Sequence, residues 1–286
     1  MTSKALKLAT NAKNFVILHL KKRGSHFMFT MISGNVKLPY KRLGSGEPLL
    51  LIHGLGEMKE SWSRQQILAD QYDLIIPDLR GHGQNDTLHG ISIENFAKDL
   101  IALLDELEIE SVHICGFSMG GTVAQEIYRQ APERCRSLIL VSTFHFAPKQ
   151  FGEWFVAYRK LSAKGLTPEE QRNLAARRSL YSWSEENLEK FNEFYNPHPV
   201  GYYKSMEACL KIDNRKLLSV ISVPTLIIGC QYDDVLPVRF QISMHKNIPN
   251  SELVIFKNCG HIAKLEATDQ FNHILSGFLK KYRQAG

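Results

Sequence analysis

A doubly wound, mostly parallel α/β sheet with an N-terminal β-hairpin and an inserted helical cap is the fold this sequence predicts, on three observations. Short continuous apolar runs recur along the chain and end in polar residues, as do strands buried on both faces of a parallel sheet. Helical patterns separate them, giving the strand-helix alternation of an open sheet covered on both sides. The alternation fails once, from Phe144 to about Leu218, where no strand pattern remains.

Taken in order, two alternating runs around "SGN", from Phe27 to Leu43, read as a β-hairpin. "PLLLIHG" (Pro48 to Gly54) and "YDLIIPD" (Tyr72 to Asp78) read as buried parallel strands. Ser92 to Leu107 is helical, with Ile93, Phe96, Ala97, Leu100, Ile101, Leu103 and Leu104 on its apolar face. "SVHICG", "SLILVS", "PTLIIGC" and "SELVIFKN" supply strands from Ser111, Ser137, Pro224 and Ser251. The interruption holds aromatic-rich helical segments, "FGEWFVAYRKLSAKG" and "NLEKFNEFYNPHPVGYYKSMEACLKI". An insertion at a strand's carboxyl end is well placed to cover a site there. The expected organisation is a basic arm over residues 1–30, a core of 31–143 and 219–286, and a helical cap over 144–218.

Composition bounds the function. With 286 residues, 44% hydrophobic and 22% charged, the chain can bury an ample core, and disorder is disfavoured. Six cations (Lys4, Lys7, Lys13, Lys21, Lys22, Arg23) and no acid lie in the first thirty residues, leaving 29 positive and 29 negative side chains in the body. The net charge of +6 therefore belongs to the arm, and nucleic-acid binding finds little support. The arm's apolar run "FVILHL" is too short to span a bilayer and no small-residue cleavage site follows it. An extra strand or disordered arm is expected there, with organelle targeting as the alternative. Five scattered cysteines without a C-x-x-C pair read as reduced thiols of a cytoplasmic protein.

The chemistry starts at "GFSMGG", Gly116 to Gly121, between the run ending at Cys115 and the helical "TVAQEIYRQ". G-x-S-x-G there fits a strand, a very tight turn and a helix, with small flanking residues so that the helix passes close to the strand. Ser118 is the candidate nucleophile. A serine hydroxyl needs a base of pKa about 6 to 7, itself oriented by a carboxylate. His261, in "NCGHIAKLEATDQF", combines a late preceding strand, a glycine before it and a helix after it. The acid follows "PTLIIGC", where "QYDDVLP" offers Asp233 and Asp234; Asp233 is preferred. Backbone N–H groups of Met119 and of Leu55, in "HGLGEM", are the expected oxyanion donors, each worth about 3 to 4 kcal/mol. His53, a rival base, is expected to brace its loop.

These motifs together resemble the α/β-hydrolase superfamily, and more narrowly its lidded, esterase-like branch, over nearly everything from Met31 onward. "GSGEPLLLIHGLG", "IIPDLRGHGQND", "GFSMGGTVAQEI", "PTLIIGCQYDDVLP" and "GHIAKLEATDQF" fall in the family's order and spacing, with Ser118, Asp233 and His261 in the family's chain order. Asn85 stands where the family often has serine. A serine nucleophile disfavours the dehalogenase and epoxide-hydrolase branches, and "HGLGEM" lacks the proline-containing oxyanion loops of prolyl peptidases and C–C hydrolases. The resemblance implies a serine hydrolase acting on a small or medium carboxylic ester or lactone, without metal or organic cofactor. A C–C hydrolase or lyase with the same residues, or a ligand receptor without turnover, are the alternatives. The predicted partner is a small-molecule ester or lactone; nucleic acid and stable membrane insertion are not predicted, and homo-oligomerisation is left open. Phe151, Trp154, Phe155, Tyr158, Trp183, Phe191, Phe194, Tyr195, Tyr202 and Tyr203 make an apolar substrate pocket plausible, though their helical spacing points mostly to core. The cations Arg159, Arg177, Arg178 and Lys204 are expected mainly on solvated faces, with an acidic substrate tail as the sharper reading.

Overall fold

A computed structural model describes residues 36–283 in full and, before them, the backbone of four strands within residues 10–33. Residues 1–9, 12–14, 17, 24–25, 34–35 and 284–286 lie outside the described residues, and with them much of the basic arm and the tip of the hairpin. The strands are β1 (Thr10–Asn11), β2 (Phe15–Val16), β3 (Leu18–Arg23), β4 (His26–Ser33), β5 (Val36–Leu43), β6 (Glu47–Ile52), β7 (Tyr72–Pro77), β8 (Val112–Phe117), β9 (Cys135–Val141), β10 (Thr225–Cys230) and β11 (Ser251–Phe256). They form one sheet in the order β1-β2-β4-β5-β7-β6-β8-β9-β10-β11, with β3 pairing β4. The hairpin β4–β5 is antiparallel and β5 joins β7 antiparallel; from β7 to β11 every pairing is parallel.

The continuous apolar strands are two-sided. Leu50 and Ile52 of β6 enter one core with Ile114, Leu138 and Ile227, whereas Leu49 and Leu51 enter the other with Cys115, Ile139 and Ile228. This is the period of two of a pleated strand with helices on both faces. Helices α1 (Ile93–Glu106), α2 (Met119–Gln130) and α8 (Arg239–Asn247) cover the first face. A 3₁₀ segment over Lys59–Asp70 and α10 (Thr268–Lys281) cover the second. Ser92 caps α1 by accepting from the Asn95 N–H at 3.1 Å, a contact worth about 1 kcal/mol.

The chain leaves the sheet after β9 and returns at β10. Between them run α3 (Lys149–Ser162), α4 (Pro168–Ser179), α5 (Glu185–Phe194), α6 (Pro199–Cys209) and the short α7 (Arg215–Leu218). The aromatic-rich run starting at Asn187 divides in two. Pro197 disfavours helical backbone at Asn196, and Pro199 occupies the first turn of α6, where its missing N–H costs nothing. Sequence periodicity did not single out α4, whose strongest signal is its capping box: Glu170 N–H donates to Thr167 Oγ1 and Thr167 N–H to Glu170 Oε2.

The insertion is docked on the core. Gly201 of α6 lies against Gly81, where an added Cβ would stand 2.3 Å from the Gly81 carbonyl oxygen. Phe191, Phe194 and Tyr195 join the core on the second face. The expectation that most of the insertion's aromatics would be core needs correction: Phe151, Trp154, Tyr158 and Trp183 are exposed, stacking on one another or beneath cations. A helix patterned on both faces shows which positions are apolar, not which face the sheet takes. Among the described residues no helix is long and apolar enough to cross a membrane, and the five cysteines are buried and unpaired.

Candidate functional site

Ser118 lies directly beyond β8, between Phe117 and the first residue of α2, with φ +53° and ψ −118°. For a non-glycine residue this conformation costs on the order of 1–3 kcal/mol and persists only where its surroundings enforce it. They do so here. Ser118 N–H donates to the Val141 carbonyl at 2.9 Å, while its own carbonyl accepts from Gly121 N–H at 2.9 Å and Thr143 Oγ1 at 2.6 Å. The glycines make room: a Cβ on Gly116 would lie 2.2 Å from the Gly120 carbonyl oxygen, and one on Gly120 would lie 2.4 Å from that of Ile52.

Three further loops meet this turn, all at carboxyl ends of parallel strands. His261 follows β11, with Nε2 3.0 Å from Ser118 Oγ and Nδ1 2.7 Å from Asp233 Oδ2. Asp233 follows β10 and is buried; its Oδ1 accepts from the N–H groups of Val235 (2.9 Å) and Leu236 (2.7 Å). Since the carboxylate accepts, the imidazole proton belongs on Nδ1, leaving Nε2 bare to receive from the Ser118 hydroxyl. Asp234 is exposed and lines the cavity mouth without reaching His261.

Leu55 follows β6, in a loop pressed against the serine: a Cβ on Gly54 would meet Ser118 Cβ at 3.4 Å. Met119 opens α2, where first-turn N–H groups have no helical partner and the dipole favours negative charge. His53 is fully buried, its Nδ1 donating to the Gly54 carbonyl at 2.8 Å and its Nε2 accepting from Leu79 N–H at 3.1 Å. Burial pushes its pKa down to about 4, so it is a neutral loop brace. Asn85 braces the next loop, donating to the Asp78 carbonyl and accepting from Thr87 N–H.

A cavity of about 150 Å³ opens onto Ser118 and His261, walled by Phe155, Phe191, Tyr195 and Tyr202 of the insertion. Arg159 and Arg178 also line it. Arg159 donates to Tyr202 Oη at 3.3 Å and Arg178 to Tyr158 Oη at 2.7 Å; among the described residues neither makes an ion pair. Arg177 instead lies over the Trp183 ring, and Lys204 donates to the Leu88 carbonyl. A second cavity of about 690 Å³ shares Arg159, Tyr195 and Tyr202 with the first. The insertion is also tied to the histidine loop: His261 N–H donates to the Ser179 carbonyl at 2.7 Å. The half-buried Glu266 carboxylate accepts from Tyr181, Ser182 and Gly260 N–H groups.

Two buried charges at the site were not singled out from the sequence. Glu57 lines the cavity, and its Oε2 accepts from Gly54 N–H and from Lys264 Nζ, both at 3.0 Å. Lys264 is fully buried; burial pushes its pKa down while Glu57 pushes it back up. The one available signal was its position, three residues after His261.

A serine on a strained strand-to-helix turn, facing a histidine and a buried aspartate from later strands, defines an α/β-hydrolase architecture. The α/β hydrolase fold family matches residues 47–268, and this chain belongs to it. It is 31% identical, over 90% of its length and 98% of the relative's, to 3-oxoadipate enol-lactonase 2 of Acinetobacter baylyi. To a 2-hydroxy-6-oxononadienedioate/2-hydroxy-6-oxononatrienedioate hydrolase of Paraburkholderia xenovorans it is 29% identical, over 86% of this chain and 91% of that one. Among solved structures, a thermophilic esterase from Thermogutta terrifontis, described as malate bound, superposes with a TM-score of 0.81 at 25% identity, over 91% of this chain and all of that one.

Proposed function

We propose that the protein is a serine hydrolase cleaving a small or medium carboxylic ester or lactone through an acyl-enzyme. The observation that carries this reading is the unbroken line of hydrogen bonds from Ser118 through His261 to Asp233 beneath a cavity of about 150 Å³. Ser118 Oγ attacks the carbonyl carbon as its proton passes to His261 Nε2, and Asp233 holds the imidazolium. The N–H groups of Met119 and Leu55 receive the oxyanion. Collapse expels the alkoxide, which takes the proton from Nε2; in a lactone it stays tethered to the acyl group. Water then attacks the acyl-enzyme, giving a proton to the same nitrogen, and the acid departs as Ser118 regains its hydrogen. Every proton passes through His261 Nε2, to the leaving alcohol in the first half-reaction and from water in the second.

Residues 144–218 serve as the cap in this reading, since their aromatics wall the cavity and their backbone holds the histidine loop. Arg159 and Arg178 favour an ester or lactone bearing a second, ionised acid group over an all-hydrocarbon one, because a half-buried guanidinium gains most from a carboxylate. Likeness to the enol-lactonase and the esterase supports the ester or lactone bond as the one cleaved. A chromogenic ester series of rising acyl length, run beside a simple lactone, tests it: turnover of at least one member is expected. Turnover of none, alongside cleavage of a vinylogous 1,5-diketone acid, would assign the protein to C–C bond hydrolysis instead.

A further inference from the structure

We propose that Glu57 and Lys264 form a positioning pair that aims the Leu55 N–H at the oxyanion and ties that donor to the segment carrying His261. The inference rests on the serine-hydrolase reading and on Leu55 as a donor. The peptide joining Gly54 to Leu55 carries that donor. The Gly54 carbonyl accepts from His53 Nδ1 at 2.8 Å and from Glu57 N–H at 3.3 Å. In a trans peptide the N–H points opposite to the C=O, so holding that oxygen on the loop's inner side turns the Leu55 N–H outward. The preceding N–H, that of Gly54, is held by Glu57 Oε2 at 3.0 Å. Glu57 thus fixes the two peptides that flank the Gly54 Cα, the donor-bearing one through its backbone N–H and the one before it through its carboxylate.

A carboxylate in this place also carries a penalty. Glu57 is 3% exposed and lines the cavity that contains Ser118, so its negative charge would oppose an oxyanion forming beside it. Lys264 answers that charge. Its Nζ reaches Glu57 Oε2 at 3.0 Å and the Ser61 carbonyl at 3.0 Å, and stands 4.7 to 5.0 Å from the ring centroids of Trp62, Phe117 and Phe194. Among the described residues Glu57 is the one carboxylate paired with it. Lys264, three residues past His261, belongs to α9 (Ala263–Glu266), and Phe117, beneath its ammonium, precedes the serine and packs on the His261 ring at 4.9 Å. The pair therefore joins the oxyanion loop, the nucleophile turn and the base in one buried assembly.

The test compares double variants that leave no unpaired buried charge, since replacing a whole buried pair by apolar groups is commonly tolerated while breaking one is not. In E57L/K264M the Gly54 N–H loses its acceptor. With a chromogenic ester, kcat is expected to fall about 30-fold or more while KM stays within about 3-fold, the signature of a contact made in the transition state. E57Q/K264M keeps an oxygen for the Gly54 N–H and is expected to recover most of that loss. K264M alone leaves the carboxylate uncompensated and is expected to be slower than E57Q/K264M. A trifluoromethyl ketone inhibitor, which forms the oxyanion on binding, should weaken in parallel with kcat/KM. Should E57L/K264M not fold, E57D decides the matter, with kcat expected to fall about 10-fold at near-constant KM. Wild-type kcat in E57L/K264M or in E57D, or equal impairment in both double variants, overturns the inference. Because wild-type turnover and its loss in Ser118→Ala are measured alongside, failure of the hydrolase reading itself would be seen separately.

Discussion

Asp233 Oδ2 lies 2.7 Å from His261 Nδ1, while its other oxygen is held by two backbone N–H groups of the following turn. Asp233 is thus held by its own turn as well as by His261. Asp233→Asn should preserve the fold and lower kcat by on the order of 10⁴-fold, since an amide there favours the wrong imidazole tautomer. Asp234→Asn, an exposed neighbour without that contact, should change kcat less than about 3-fold. Steady-state kinetics on one chromogenic ester compares them, and the reverse ranking would reassign the acid.

The turn at Ser118 depends on backbone proximity. Gly120→Ala would drive a methyl group to 2.4 Å from the Ile52 carbonyl oxygen, so the helix must move away from β6. A loss of at least about 2 kcal/mol in urea unfolding is expected, or failure to fold. Unchanged stability would mean that α2 does not pass this close to the strand.

Charge in the cavity should show in selectivity. Arg159→Met is expected to raise KM for an ester ending in a carboxylate about 10-fold or more, while leaving a neutral ester of equal length within about 2-fold. Equal effects on both esters would reduce Arg159 to a packing residue.

Acid should destabilise the fold through its buried histidines. Burial lowers His53 and His113 to about 4 and His82 to about 3, against an ordinary value near 6.5. Between those limits the unfolded chain takes up protons that the folded chain does not. The stability these groups support is complete above about pH 6.5 and is lost as pH falls towards 4. Each histidine contributes a slope of about 1.4 kcal/mol per pH unit. Urea unfolding at pH 7, 6 and 5 measures their sum together with that of His145, which burial also lowers, and His113→Asn should reduce the slope by one histidine's share. A flat profile would contradict the neutral, buried assignment.

Much of this was legible because it is local. Each parallel strand announces itself as an apolar run, and Ser118, Asp233 and His261 each follow such a run, so sheet topology alone brings them to one edge. The choice between Asp233 and Asp234 was harder, since it depends on which carboxylate the turn bends inward. Glu57 and Lys264 were not legible: they stand 207 residues apart, and an isolated Glu or Lys in sequence looks like a surface charge. The exposed aromatics of α3 misled for a related reason, since helical spacing cannot say which stripe meets the sheet.

The most direct test of the central claim is mass spectrometry after treatment with a serine-directed fluorophosphonate, paired with ester turnover of Ser118→Ala. The account predicts one adduct, on the peptide containing Ser118, and a loss of turnover on the order of 10⁴-fold or more in the variant. Adduct formation on another residue, or a variant that keeps its turnover, would contradict it.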